Sequence, residues 1–142
     1  MVRNNKGFTL IELVLVITIL GILAVMALPQ FFNISNEAGE AARNGVVGAV
    51  RAGINTERAS RLVADPAAAF SATLDGTADD GTPLFSTVLQ EPIAGVAAGA
   101  NGWSKAGLVY THQRTGQTCA YTYVPLTGRF TGVATVGAGA CP

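Results

Sequence analysis

The chain has 142 residues, of which 49% are hydrophobic, 7% aromatic and 13% charged, with no net formal charge. This balance removes the electrostatic case for a nucleic-acid partner, because phosphate binding needs clustered Lys and Arg. The length leaves room for one modest domain beyond any membrane segment. With so few charges and 17 glycines, the surface must be largely small and neutral, which suits subunits packed side by side.

Met1 to Lys6 is short, polar and basic, carrying Arg3 and Lys6, so the positive-inside rule keeps it cytoplasmic while the next segment inserts. Phe8 to Leu28 is a run of 21 residues, matching the roughly 20 needed to cross a hydrocarbon core as a helix. Its one charge is Glu12, and the next charged residue is Glu37. A carboxylate at the bilayer centre costs about 2.5–3.5 kcal/mol on insertion scales, so Glu12 asks for a partner. An ordinary secretory signal is the competing reading, with small residues at Val25-Met26-Ala27 for a signal peptidase. Against it stand Glu12 inside the apolar run, the length of that run, and its continuation through Leu28-Pro29-Gln30-Phe31-Phe32. Gly21 and Pro29 weaken the same helix by roughly 1 and 3 kcal/mol, which predicts a kink or local melting between them.

Lys6-Gly7-Phe8-Thr9-Leu10-Ile11-Glu12-Leu13, continued by Gly21, Pro29 and the aromatic pair after it, resembles the start of type IV pilins and of the related type II secretion pseudopilins. The resemblance covers the first 30 or so residues. It implies a leader, 1–7, removed by a prepilin peptidase that cuts after Gly7 and methylates the new amino terminus on Phe8. The apolar helix, 8–32, is then retained, first as a membrane anchor among lipids and later as the core of a homo-oligomeric helical filament. In that family the acid at Glu12 pairs with the Phe8 amine of an adjacent subunit, and the Gly21 to Pro29 stretch is often unwound in the fibre. The physics agrees, since an amine and a carboxylate attract strongly in low dielectric. The further implications are an inner-membrane assembly platform as partner, an inner-membrane precursor, and an extracellular pilus on a bacterial surface. The implied fold is α+β and pilin-like, a long helix with a protruding N-terminal half packed on a small antiparallel sheet.

Residues 33–63 read as an amphipathic helix, with Phe31, Ile34, Ala38, Ala42, Val46, Val50 and Ile54 at spacings of three or four. The opposite face carries Glu37, Glu40, Arg43, Arg51, Glu57, Arg58 and Arg61, solvated or meeting neighbours, with Glu40–Arg43 and Glu57–Arg61 spaced for pairing. Gly39, Gly45, Gly48 and Gly53 lower helicity by about 1 kcal/mol each relative to Ala, so a sheet is expected against Gly45 to Gly53. A helix from Phe8 to Val63 reaches roughly 84 Å at 1.5 Å per residue. Asp65-Pro66 ends it.

Residues 64–102 form a connector with one short helix, in which Thr82 caps, Pro83 opens the first turn and Leu84 to Gln90 make two turns. Asp75, Asp79 and Asp80 among glycines raise calcium, but their spacing does not match an EF-hand loop, and a solvated turn-rich loop is the preferred reading. Residues 103–142 read as antiparallel sheet, with strands at Leu108 to His112, Thr118 to Val124 and Phe130 to Val136, and a hairpin turn at Arg114 to Gln117. Alternation places Cys119, Tyr121 and Tyr123 on one face. In an exported chain Cys119 and Cys141 favour one disulfide, stabilising by about 3 kcal/mol in the loop-entropy model. The Trp103 and Cys119-Ala120-Tyr121-Thr122-Tyr123 region and Pro29-Gln30-Phe31-Phe32-Asn33 resemble mannose-sensitive haemagglutinin-type pilins.

No catalytic constellation, cofactor or metal site is expected. His112 is the one histidine, and no phosphate loop or metal-ligand cluster accompanies it. Ser104, Lys105 and His112 read as exposed strand residues. Tyr110, Tyr121, Tyr123, Phe130 and Trp103 are assigned to core packing rather than to stacking on sugars or bases. Three functions compete: a pilus subunit serving surface attachment, a type II secretion pseudopilin or minor pilin of a DNA-uptake machine, and a monomeric membrane-anchored adhesin or sugar-binding module.

Overall fold

The computed structural model describes residues 7–75, 83–137 and 140–142, with the backbone alone for Phe32 and Asn33. The basic residues Arg3 and Lys6, the acids Asp79 and Asp80 and the cap Thr82 lie outside the described residues. The fold is α+β: helix α1 at Leu10–Ala64, then strands β1 at Gly102–Ala106, β2 at Val109–Arg114, β3 at Gln117–Val124 and β4 at Arg129–Val136. Two units divide the chain, Met1–Ala41 and Ala42–Pro142.

In the first unit, α1 starts on a reciprocal cap. Thr9 Oγ1 accepts from the Glu12 N–H at 3.4 Å, and Glu12 Oε2 accepts from the Thr9 N–H at 2.9 Å. This is a capping box, which satisfies two of the donors that a helix start leaves orphaned. The helix then continues without interruption through Gly21 and Pro29, so no local melting breaks it there. Loss of one backbone donor at Pro29 is tolerated because the turns on both sides keep their own bonds. Large apolar side chains from Leu10 to Phe31 and Ile34 are exposed around the whole circumference. A helix apolar all round has no solvated face, which is the pattern of a membrane span or a buried bundle member.

The second unit has a conventional core. From α1 it takes Val47, Val50 and Ile54, from the connector Leu74, Leu84 and Phe85, and from the sheet Trp103, Tyr110, Cys119, Tyr121, Tyr123 and Phe130. The sheet is an antiparallel meander in the order β1-β2-β3-β4. β1 lies ahead of the three strands expected. The β2-β3 turn is two residues, Thr115-Gly116, closed by the Arg114–Gln117 pair. Gly116 sits at φ 81°, a left-handed conformation that glycine adopts without steric cost. In β3 the buried residues are Cys119, Tyr121 and Tyr123, so the alternation places the cysteine and both tyrosines inward.

The connector differs from expectation. No helix forms over the described residues 83–90. Leu84 instead makes an antiparallel bridge with Ile93, its N–H donating to the Ile93 carbonyl at 2.8 Å. Phe85 follows at φ 60°, a backbone conformation costing roughly 1–2 kcal/mol for a residue with a Cβ. The tertiary compensation is a bond from its N–H to Asp75 Oδ1 at 2.6 Å. The helical glycines also divide. A Cβ on Gly53 would strike the backbone carbonyl of Val88, whereas one on Gly45 or Gly48 would meet nothing within 4 Å. The close partner at Gly53 is therefore the connector and not the expected sheet.

Candidate functional site

The residues assigned to processing and assembly gather at the start of α1. Gly7, Phe8 and Thr9 precede the helix, and Phe8 is 80% exposed. Glu12 occupies the first turn, where the helix dipole favours an anion and disfavours a cation by about 0.3–1 kcal/mol. Its Oε2 also accepts from Thr9 Oγ1 at 2.7 Å. Glu12 thus has local hydrogen-bond partners, which the sequence reading left unassigned although Thr-x-x-Glu is a legible capping signature. Those bonds are with neutral groups, so the negative charge itself is uncompensated within the described residues. An amine released on Phe8 would sit at the positive end of the same dipole, and both charges gain by meeting an opposite one.

Gly21, with Thr18, Ile22, Val25 and Met26, lines a shallow apolar notch on α1. Gly21 supplies its floor, with no atom near the position of a Cβ. By length and composition the helix qualifies as a membrane span.

Cys119 and Cys141 are joined in a disulfide, with Cα atoms 5.8 Å apart. Beside it lies Arg43, 2% exposed, which was expected on a solvated or intersubunit face. Its Nη1 donates to Gln117 Oε1 at 2.8 Å and to Cys119 Sγ at 3.2 Å, and Nη2 donates to the Ala140 carbonyl at 3.2 Å. Arg43 therefore stitches helix, middle strand and C-terminal tail together, and the Glu40–Arg43 pairing does not form. The Glu57–Arg61 pair does, at 3.5 Å.

Two further expectations are overturned. Lys105 is no exposed strand residue: its side chain is 3% exposed and its Nζ lies 2.6 Å from Asp75 Oδ2. Ser104 is buried as well. Nor is Asp75 a loop acid open to calcium. It is 3% exposed, and Oδ2 also accepts from the Tyr110 hydroxyl at 2.9 Å. Burial, then the hydrogen bond to Asp75, pushes the Tyr110 phenol far above its ordinary range. Among the described residues no group of three or more His, Cys, Asp or Glu is placed to hold a metal ion. His112 packs against Trp103 in a tilted arrangement, with centroids 4.9 Å apart, and burial, reinforced by Arg43 and Arg114, lowers its pKa. Trp103, Tyr110, Tyr121, Tyr123 and Phe130 are all core residues.

Comparison with known proteins points to the same segment. Residues 2–28 match the family described as the prokaryotic N-terminal methylation motif. Over 46 residues the chain is 48% identical to the type IV narrow pilus major component PilA5 of Thermus thermophilus, covering 32% of this chain and 40% of that relative. No solved structure matches. The chain thus carries an N-terminal methylation motif at the start of a long apolar helix. The segment that it shares with the relative is similar to that of a type IV pilin.

Proposed function

We propose that this chain is a structural subunit of a type IV pilus. It is made as an inner-membrane precursor, cut after Gly7 by a prepilin peptidase, methylated on Phe8, and polymerised through the apolar half of α1 into an extracellular filament. The observation that carries the reading is an all-round apolar helix with one acid, Glu12, held ready in its first turn. A tether needs length and hydrophobicity alone, whereas a helix bundle gains register from a charge that must find a cation. Methylation leaves that cation charged, so Glu12 of one copy and the Phe8 amine of the next neutralise each other in low dielectric. The C-terminal domains would form the filament surface and serve attachment, and an assembly platform in the inner membrane would extract the subunits. Gly21 and Pro29 are the positions where α1 would unwind on assembly, since each already lowers helical stability.

The test combines two measurements on the full chain. Mass spectrometry of the mature N-terminus should find methylated Phe8; an intact Met1 indicates a plain anchor, and a start at Leu28 a secretory signal. Electron microscopy of sheared surface material should show filaments from the wild-type chain and none from Glu12→Ala, with the mutant precursor still inserted. Unaltered Glu12→Ala filaments would refute the role of the acid.

A further inference from the structure

The second unit carries a cationic groove whose ligand nothing above has assigned. Arg51, Asn55, Gly128, Arg129, Phe130 and Thr131 line an open depression of about 320 Å³ between α1 and the start of β4. Arg51 is fixed there, because its Nε donates to the Phe130 carbonyl at 3.0 Å. Arg58, one heptad further along α1, stacks its guanidinium 3.9 Å from the centroid of Phe70. Phe70 in turn lies against Gly128, where the positive φ of 66° and the absent Cβ let the ring approach. Arg129 is exposed at the rim. Two guanidinium groups, those of Arg51 and Arg129, thus line the groove, and no ion pair to either exists among the described residues.

The acids of the chain show what such a groove can take. Asp75 is consumed by Lys105, Glu57 by Arg61, and Asp65 caps the Ala67 N–H at 2.9 Å. Of the other described acids, Glu12 lies in the apolar run and Glu91 stands alone in the connector, whereas Glu37 and Glu40 are three residues apart and so on one helix face, with no ion-pair partner among the described residues. Arg43, the base nearest in sequence, is turned into the core. A paired acidic site and a paired basic site, each left uncompensated, are complementary between copies. Arginine suits this contact because its planar fork can take a carboxylate through two parallel bonds.

We infer that the Arg51–Arg129 groove receives the Glu37–Glu40 face of a second copy of this chain, fixing the stagger of neighbouring subunits outside the membrane. This inference rests on the filament reading and adds a second intersubunit charge contact to that of Glu12. Because the contact is partly solvated it acts mainly on specificity and register, and it weakens as salt rises.

The experiment uses the full-length chain in filament-forming cells. Arg129→Glu is the informative substitution, since the side chain is exposed. It should lower the filament yield several-fold while membrane-inserted subunit and its Cys119–Cys141 disulfide stay at wild-type levels, and adding Glu37→Arg with Glu40→Arg should restore filaments. A photo-crosslinking residue at position 129 in otherwise wild-type filaments should join to the segment around Glu37 and Glu40 of another copy. Unchanged yield with Arg129→Glu, no rescue by the reversed acids, or cross-links to another region or to a different macromolecule would overturn the inference. Wild-type cells without any filament would instead sink the pilus reading itself.

Discussion

The two units of this chain solve the problem of a buried face in opposite ways. Ala42–Pro142 covers its apolar residues with its own chain, closing twelve of them into one core, and ties its internal charges in pairs and networks. The described part of Met1–Ala41 covers none of its large apolar side chains, which are exposed from Leu10 onward. Within the apolar run of the first unit the one acid, Glu12, is capped yet meets no cation among the described residues. Stability in the second unit is intramolecular, whereas the described part of the first builds no core of its own.

If that contrast holds, substitutions inside the second unit should move its unfolding free energy, and the strongest effect belongs to the buried ion pair. Lys105→Met leaves the buried Asp75 without its cation, which costs about 3–5 kcal/mol when one partner of a buried pair is removed. Urea unfolding of the detergent-solubilised chain, followed by Trp103 fluorescence, should show the loss, and a wild-type midpoint would mean that the pair is solvated. Next come the glycines. Gly53→Ala should destabilise because its Cβ would displace the Val88 carbonyl, whereas Gly45→Ala and Gly48→Ala, facing open space, should each stabilise by about 0.5–1 kcal/mol through helix propensity. Equal signs at all three positions in the same urea series would remove the distinction.

The smallest effects separate three tyrosines. Tyr110 and Tyr123 donate to Asp75 and to the Ser71 carbonyl, while the Tyr121 hydroxyl is buried with no hydrogen-bond partner among the described residues. Phenylalanine at 110 or 123 should therefore cost about 1 kcal/mol, and at 121 should be neutral or stabilising. Burial raises all three phenol pKa values. The unfolded chain ionises them near pH 10, so their contribution is intact below that pH and is lost as pH rises above it. Alkaline unfolding should begin there, and Tyr110→Phe should reduce its steepness; a pH-independent midpoint between pH 9 and 11 would contradict this.

Much of this architecture is legible in the order of residues. The apolar run with Glu12, the β3 alternation of Cys119, Tyr121 and Tyr123, and the glycine turn at Gly116 depend on local periodicity and local conformation, and these a linear pattern records. Thr9 belongs to the same group, since its cap on Glu12 spans three residues. Arg43, Lys105 and Asp75 belong to another. Charged residues are ordinarily exposed, and nothing adjacent to them in sequence indicates otherwise: Lys105 meets an acid 30 positions away, and Arg43 meets the carbonyl of Ala140. The helix expected at Leu84 to Gln90 fails because Leu84 bridges to Ile93 and Phe85 takes a left-handed backbone conformation, neither of which helical periodicity records.

The sequence by itself therefore determined the long apolar helix, its methylation motif, the α+β class and the disulfide pair, all set by short-range pattern or by a count of two. Tertiary structure alone decided which charges are buried, which glycine is a true contact, and which arginines are left around an open groove. Long-range burial fixes a side chain's environment through residues far away in the chain, and that information is absent from its neighbours.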